Sequence, residues 1–278
     1  RDIAGLVERS RYFRPAADLV LQKTGRLTYR VIARKVGKHQ YRRMDLQAAI
    51  TKGIERQFGD SWRLVDDDAQ VEVWANVIGS RLLCGIRLSD QSMRHRDYQD
   101  VNLPASLRPS VAAAMVLLTQ PEQHDVFMDP MCGSGTIVAE RMLAGPSRAI
   151  LGGDIVWDRV YASNRNLRRV RGRSLVTHWD ATTLPVEVES VGKLAVNLPF
   201  GKQIGSRSEV EKLYPRFVSE LERVLRPDGI AVLLTSEYEL LKEVLRDHDR
   251  LLNLTGYSIA VLGQWARIYV LKKVAESP

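Results

Sequence analysis

From about residue 124 onward, short apolar runs alternate with longer runs of helical periodicity, and this alternation constrains the fold more than any other feature of the chain. Strands are predicted near 124–129, 149–154, 174–178, 192–197, 229–235, 253–262 and 265–273. Helices are predicted near 135–145, 157–171, 208–225 and 238–247. Parallel neighbours need a crossover that carries the chain back to the same edge, so this order implies a parallel sheet with helices on both faces. The last two strands are separated only by Gly263 and Gln264, which predicts a closing β-hairpin. The expected fold class is α/β, with a seven-stranded, mostly parallel sheet.

The 278 residues leave room for a second, smaller unit ahead of this one. Residues 4–23 read as a helix or helix pair broken at Pro15, and 28–36 as a strand. Residues 45–58 read as a helix capped by Asp45, and 69–78 and 80–88 as paired strands. This predicts an α+β domain over 1–88. The polar stretch 89–105, with Pro104, reads as a linker, and a helix over 110–119 opens a domain spanning 106–278.

Charge separates the two parts. Residues 1–100 hold 19 Lys/Arg against 13 Asp/Glu, and the remainder 22 against 20, within a net charge of +8. A basic front attached to a near-neutral back points to an anionic partner for the front, although solvated surface cations would give the same count. Cys84 and Cys132 are far apart, with no metal-binding spacing, which argues against a disulfide framework or zinc site and for a reducing cytoplasm. No apolar run is long enough to span a membrane. The chain opens at Arg1 rather than at a methionine, from which a trimmed start is expected.

The first chemical signal is Asp129-Pro130-Met131-Cys132-Gly133-Ser134-Gly135-Thr136, between an apolar strand and a helix. Gly133 and Gly135 permit positive-φ backbone and close approach of a ligand. The motif lacks the third glycine of a dinucleotide fingerprint and the Lys-Ser/Thr of a phosphate loop. Asp129 opposes a phosphate and suits a ligand carrying an amino or sulfonium cation. Asp154, at the next strand end, is placed to grip ribose hydroxyls, and Asp180-Ala181, after the third strand, to meet an adenine edge. Singly, each aspartate reads equally as a turn or cap residue. Three at successive strand ends are harder to explain in that way.

The fourth strand runs into Asn197-Leu198-Pro199-Phe200-Gly201. Together with Asp129–Thr136, this loop resembles class I, Rossmann-like S-adenosylmethionine methyltransferases with an Asn-Pro-Pro-Tyr-type motif, which modify planar amino groups. Leu198 and Phe200 depart from the usual Pro and Tyr. The resemblance implies S-adenosylmethionine as cofactor. It implies that Asn197 Oδ1 and the Leu198 carbonyl accept the two N–H groups of the amine, that Pro199 stiffens the loop and that Phe200 stacks on the base. Neither cysteine lies in this loop, which disfavours attack on a pyrimidine C5.

Residues 29–46, with Arg30, Arg34, Lys35, Lys38, Arg42, Arg43, Tyr29 and Tyr41, together with Val65–Val77, resemble a THUMP domain, an RNA-binding module. Cations for phosphates with aromatics between them make a plausible RNA surface. An amphipathic strand and helix with solvated charges is the bland alternative. Arg94, Arg96, Tyr98 and the run Leu103–Ser110 resemble the join between THUMP and methylase domains, which implies that Arg108, Pro109 and Ser110 lie near the cofactor. The whole pattern resembles the THUMP-containing tRNA guanine-N2 methyltransferases that act in the acceptor stem, at guanosine 6. Those enzymes carry a ferredoxin-like segment ahead of THUMP, of which only a helical start is expected here. Another amino acceptor (ribosomal or small nuclear RNA guanine, or a protein glutamine) stays open, as does a non-catalytic RNA-binding relic.

Overall fold

The computed structural model describes residues 2–20, 26–88, 96–104, 106–201, 207–261 and 264–275. The chain divides into two compact units, Arg1–Met93 and Arg94–Pro278. Arg94 and Gly263, both named above, and Ala105 within the run Leu103–Ser110 lie outside the described residues.

The first unit opens with two short helices, α1 (Ile3–Glu8) and α2 (Phe13–Val20). The break between them falls before Phe13, not at Pro15. Pro15 sits in the first turn of α2, where a helix needs no N–H from it. A four-stranded sheet follows, from β1 (Leu27–Val36), β2 (Trp62–Leu64), β3 (Val71–Ile78) and β4 (Arg81–Ile86), in the order β2-β1-β3-β4. β1 is parallel to β2 and β3, and β4 returns antiparallel to β3. Alternation in β3 buries Val71, Val73, Ala75 and Val77 against helix α3 (Arg43–Phe58), which contributes Leu46, Ile50, Ile54 and Phe58. α3 starts two residues before Asp45. Asp45 therefore acts from the third helical position, where its carboxylate accepts the Arg42 N–H at 2.7 Å.

The second unit is built on seven strands: β5 (Val126–Asp129), β6 (Ala149–Asp154), β7 (Leu175–His178), β8 (Val191–Asn197), β9 (Leu225–Thr235), β10 (Leu251–Val261) and β11 (Gln264–Lys273). Their order is β10-β11-β9-β8-β5-β6-β7, and only β11 runs against its neighbours. Helices α4 (Pro109–Leu118), α5 (Thr136–Leu143), α6 (Trp157–Leu167), α7 (Arg207–Val224) and α8 (Tyr238–Val244) provide the cover. β8 is buried along nearly its whole length, as a strand packed on both faces must be. β5 and β8 run parallel, but the crossovers proceed to β6 and β7 on one side of this pair and to β9 on the other, and this switch leaves a crevice at their carboxyl ends.

Residues 96–104, inside the stretch expected to be a linker, are packed into this second unit. Tyr98 is buried and donates to Glu140 Oε1 at 2.8 Å, and Arg96 Nε reaches the same oxygen at 2.9 Å. Polar composition suggested an open segment because the partners of those polar groups lie on α5 and α6, far off in sequence. No described helix is long and apolar enough to cross a membrane.

Candidate active site

β5 delivers Asp129 to the carboxyl edge of the sheet, where the chain turns sharply into α5. The turn needs its glycines. Gly133 and Gly135 have φ of 53° and 81°, in the left-handed region that β-carbons disfavour. A side chain at Gly133 would enter open space, whereas at Gly135 it would strike Ser163 Oγ at 2.3 Å. Gly133 thus leaves its backbone open to a ligand, and Gly135 lets α5 approach α6. Asp154, buried at the end of β6, ties the turn down. Its Oδ2 accepts from Gly133 N at 3.1 Å, and its Oδ1 accepts from Val156 N at 3.0 Å and from Arg159 Nη1 at 3.4 Å.

Asp129 is 1% exposed, and its described hydrogen bond is a 3.3 Å contact from Met131 N. Burial holds its carboxyl well above the usual range and the nearby Asp154 charge adds to this, against a smaller opposing effect from the Met131 N–H. A cation seated here would reverse that balance. Cys132 is buried too, and desolvation first, then Asp129, pushes its thiol well above the ordinary value, so it is no thiolate nucleophile.

At the end of β8, Leu198 N donates to Leu234 O of β9 at 2.9 Å, which fixes the chain as it leaves the sheet. The Pro199 carbonyl accepts the Tyr214 hydroxyl of α7 at 3.0 Å, and that hydroxyl lies 2.7 Å from Thr235 Oγ1. The loop is therefore anchored on both sides. Among the described residues, Asn197 Oδ1 is a buried acceptor without a donor. Such an atom costs about 1–3 kcal/mol unless something binds it, so it marks a place where a ligand N–H belongs.

The two motifs line one cavity of about 270 Å³. Its wall includes Asp129, Pro130, Cys132, Gly133, Ser134 and Thr136 from the glycine turn. Asp154, Asp180 and Ala181 come from the next two strand ends, and Asn197, Leu198, Pro199 and Phe200 from the fourth. Asp180 also closes its own turn, accepting Thr182 N and Thr182 Oγ1 at 2.8 Å each.

Four expected contacts are absent from this wall. Gly135 stands behind it, against Ser163. Arg108 caps α4 and is exposed with Ser110, while Pro109 is buried in the helix's first turn. Starting α4 at Pro109 carries these three away. Leu103, Pro104, Ser106 and Leu107 line the cavity in their place, and Ser106 Oγ lies 3.1 Å from Ser134 Oγ.

Sequence reading missed the residues that brace the site from behind. Trp179 donates to the Pro130 carbonyl at 2.9 Å and packs so close to Gly153 that a β-carbon there would fall 2.2 Å from the indole. Asn166 of α6 donates to Ser134 O and Val101 O, and accepts from Asp100 N and Val101 N, all within 3.0 Å. The Gly-Gly before Asp154 was a signal for the tryptophan's close approach; nothing in the sequence marked Asn166.

In the first unit, the expected cationic residues are not equivalent. Arg34, Lys35, Lys38, Arg42 and Arg43 are exposed. Arg30 is half-buried, paired with Glu72 and with Asp67 at 3.0 Å. Burial alone would raise the Glu72 carboxyl, but hydrogen bonds from Arg87, Trp74 and Arg30 outweigh it and leave it at about 2. Tyr29 is fully buried in the core and cannot stack on a base, while half-buried Tyr41 lies beside His39 and Lys35.

A sheet with a single reversed strand beside its last crossover, an acidic glycine turn and an asparagine-ended fourth strand define a class I S-adenosylmethionine-dependent methyltransferase. The residues fit that cofactor: buried Asp129 suits its cationic groups, buried Asp154 its ribose hydroxyls, and the open space at Gly133 admits it to the backbone. The chain belongs to the RMKL-like methyltransferase domain family, whose profile matches residues 96–255. It is 27% identical over 267 residues to the mouse (Mus musculus) tRNA (guanine(6)-N(2))-methyltransferase THUMP3, covering 90% of this chain and 52% of that protein. It is 27% identical over 276 residues to the Thermus thermophilus tRNA (guanine(6)-N2)-methyltransferase, covering 98% and 79%. The crystal structure of TrmN from Thermus thermophilus superposes with a TM-score of 0.70 at 25% identity, over 98% of this chain and 78% of that one. The chain thus spans about half the length of the mouse relative and most of the bacterial ones.

Proposed function

We propose that this chain transfers a methyl group from S-adenosylmethionine to the exocyclic N2 amine of a guanosine in tRNA, at position 6 of the acceptor stem, giving N2-methylguanosine. The observation that carries the proposal is the buried, donorless Asn197 Oδ1 in a cavity shared with the acidic glycine turn. Bound S-adenosylmethionine supplies a methyl group activated by attachment to a sulfonium.

Asp129, the Gly133 backbone, Asp154, Asp180 and Ala181 would hold the cofactor, beneath Leu103, Pro104, Ser106 and Leu107. An exocyclic amine is a weak nucleophile because its lone pair is delocalised into the ring. Asn197 Oδ1 accepts one of its N–H bonds and the Leu198 carbonyl the other, which turns the lone pair toward the methyl carbon. Both acceptors also stabilise the positive charge that develops on the nitrogen. With the cofactor bound, the amine would take its methyl group and leave a neutral thioether, and the surplus amine proton would pass to solvent. Pro199 and the Tyr214 hydrogen bond keep the loop still, so catalysis is chiefly positioning. Phe200, half-buried at the wall, stacks on the base.

The first unit, read as a THUMP-like domain over 1–88, would hold the RNA through Arg34, Lys35, Lys38, Arg42 and Arg43, and the enzyme would act in the cytoplasm. The names of the mouse and bacterial relatives support tRNA guanine as the acceptor. Mass spectrometry of nucleosides from tRNA incubated with the full chain and cofactor tests this. N2-methylguanosine is expected with wild type, and a drop of at least about a hundredfold with Asn197→Ala, the scale on which a preorganised polar group acts. Cofactor affinity should persist in that variant. Undiminished turnover by Asn197→Ala, or a different methylated nucleoside, would refute the assignment.

A further inference from the structure

The second unit carries a surface that the cavity does not use. Between Trp157 and Arg173 the sequence has six arginines and one acidic residue, Asp158. At 3.6 residues per turn, Trp157, Tyr161, Arg165 and the C-cap Arg168 fall on one face of α6, while Val160, Ser163 and Leu167 are buried on the other. Trp157 and Tyr161 are 67% and 69% exposed.

The indole of Trp157 is held in place. It stacks on His178 at 4.5 Å with the planes 4° apart, and His178 Nε2 lies 2.9 Å from the Ile155 carbonyl. Ile155 and Arg159 belong to the cavity wall, so the stripe begins at the cavity mouth and runs about 16 Å along α6. Arg159 pairs with Asp154, and Arg165 and Arg169 share Asp100. Arg168, Arg171 and Arg173 are exposed and have no carboxylate partner among the described residues.

We infer that this stripe is a second RNA-contact surface, which takes a segment of the substrate RNA with unpaired bases near the cavity mouth. Trp157 and Tyr161 stack on bases, and Arg168, Arg171 and Arg173 hold phosphates. A run of arginines alone would be a solvated face. Two exposed rings among them, Trp157 held by its stack on His178, in line with the cavity mouth, are what a polyanion with flat bases requires. A protein partner would want charged residues depleted at the centre of the patch, and here they are concentrated. The inference rests on the reading of the enzyme as an RNA methyltransferase.

The test uses the full chain and fluorescence anisotropy with a labelled single-stranded oligoribonucleotide and with the matching duplex, alongside methyl transfer to tRNA. Trp157→Ala/Tyr161→Ala should weaken single-strand binding about tenfold or more and leave duplex binding nearly unchanged. Arg168→Ala/Arg171→Ala/Arg173→Ala should weaken both and lower the slope of log affinity against log salt by about 2. Unchanged cofactor affinity by calorimetry would show that both variants are folded. Wild-type affinity for single strands in both variants overturns the inference. So does a changed oligomeric state with unchanged RNA affinity, which would make the stripe a protein interface. If both variants lose single-strand affinity as expected but wild type methylates no tRNA, the proposed function fails and the RNA surface stands.

Discussion

Asp129 shows how one residue's surroundings set the behaviour of a site. Burial makes its carboxyl hold a proton more tightly in the folded chain than in the unfolded one. Its contribution to folding stability therefore falls as pH rises from the unfolded value, about 4, toward the raised folded value. A cationic ligand prefers the carboxylate, so cofactor affinity should rise with pH over that same interval. Asp129→Asn should remove this dependence and bind more weakly at neutral pH. Calorimetry from about pH 5 to pH 8 checks it; a wild-type affinity that drops as pH climbs would contradict the account. The aspartate was legible in the sequence because it follows an apolar strand and precedes the glycine turn. Its raised proton affinity was not, because that depends on a burial that only packing creates and, to a lesser degree, on Asp154. Tyr29 shows the reverse: an aromatic among arginines looked like a base-stacking residue, and the pleat turned it into the core.

At the scale of elements, the segment over the cavity is held from below. Asn166 spends every hydrogen-bonding capacity of its amide on joining residues 100–101 to the glycine turn. Asn166→Ala should leave four backbone groups without these partners and cost about 2–4 kcal/mol. Much of that loss should be local. Hydrogen exchange at Asp100 and Val101 is expected to quicken, and cofactor affinity to fall, although Asn166 does not line the cavity. Exchange at those amides as slow as in wild type would show that the clamp is dispensable. The strand–helix alternation was readable because periodicity is local, and the strands of the second unit match those expected to within a few residues; in the first unit the three-residue β2 was not expected, because so short a run carries no periodicity. The docking of 96–104 was not readable, since Tyr98, Glu140 and Asn166 meet only when α5 and α6 are packed side by side.

For the whole molecule, the basic front unit predicts a salt-dependent grip on a polyanion. Lys38, Arg42 and Arg43 are exposed, whereas Arg30 is engaged with Glu72 and Asp67. Neutralising the first three should reduce RNA affinity and lower the log–log salt slope by about 2 to 3. Arg30→Ala should instead show mainly as lost thermal stability, because it leaves Glu72 with fewer donors. Gel-shift titrations over a series of salt concentrations, beside melting curves, separate the two. Equal slopes for wild type and the triple variant would remove the first unit from the proposed RNA contact.

What the sequence by itself determined was the order of the elements, the glycine turn and the asparagine loop, because each is written in residues that are neighbours along the chain. Tertiary structure decided which residues share a cavity: Leu103, Pro104, Ser106 and Leu107 rather than Arg108–Ser110, Gly133 rather than Gly135. It also supplied the bracing by Trp179, Asn166 and Tyr214. A site of this kind is assembled at the tips of strands brought together by crossovers, and the distances across those tips are set by how helices pack, not by spacing along the chain.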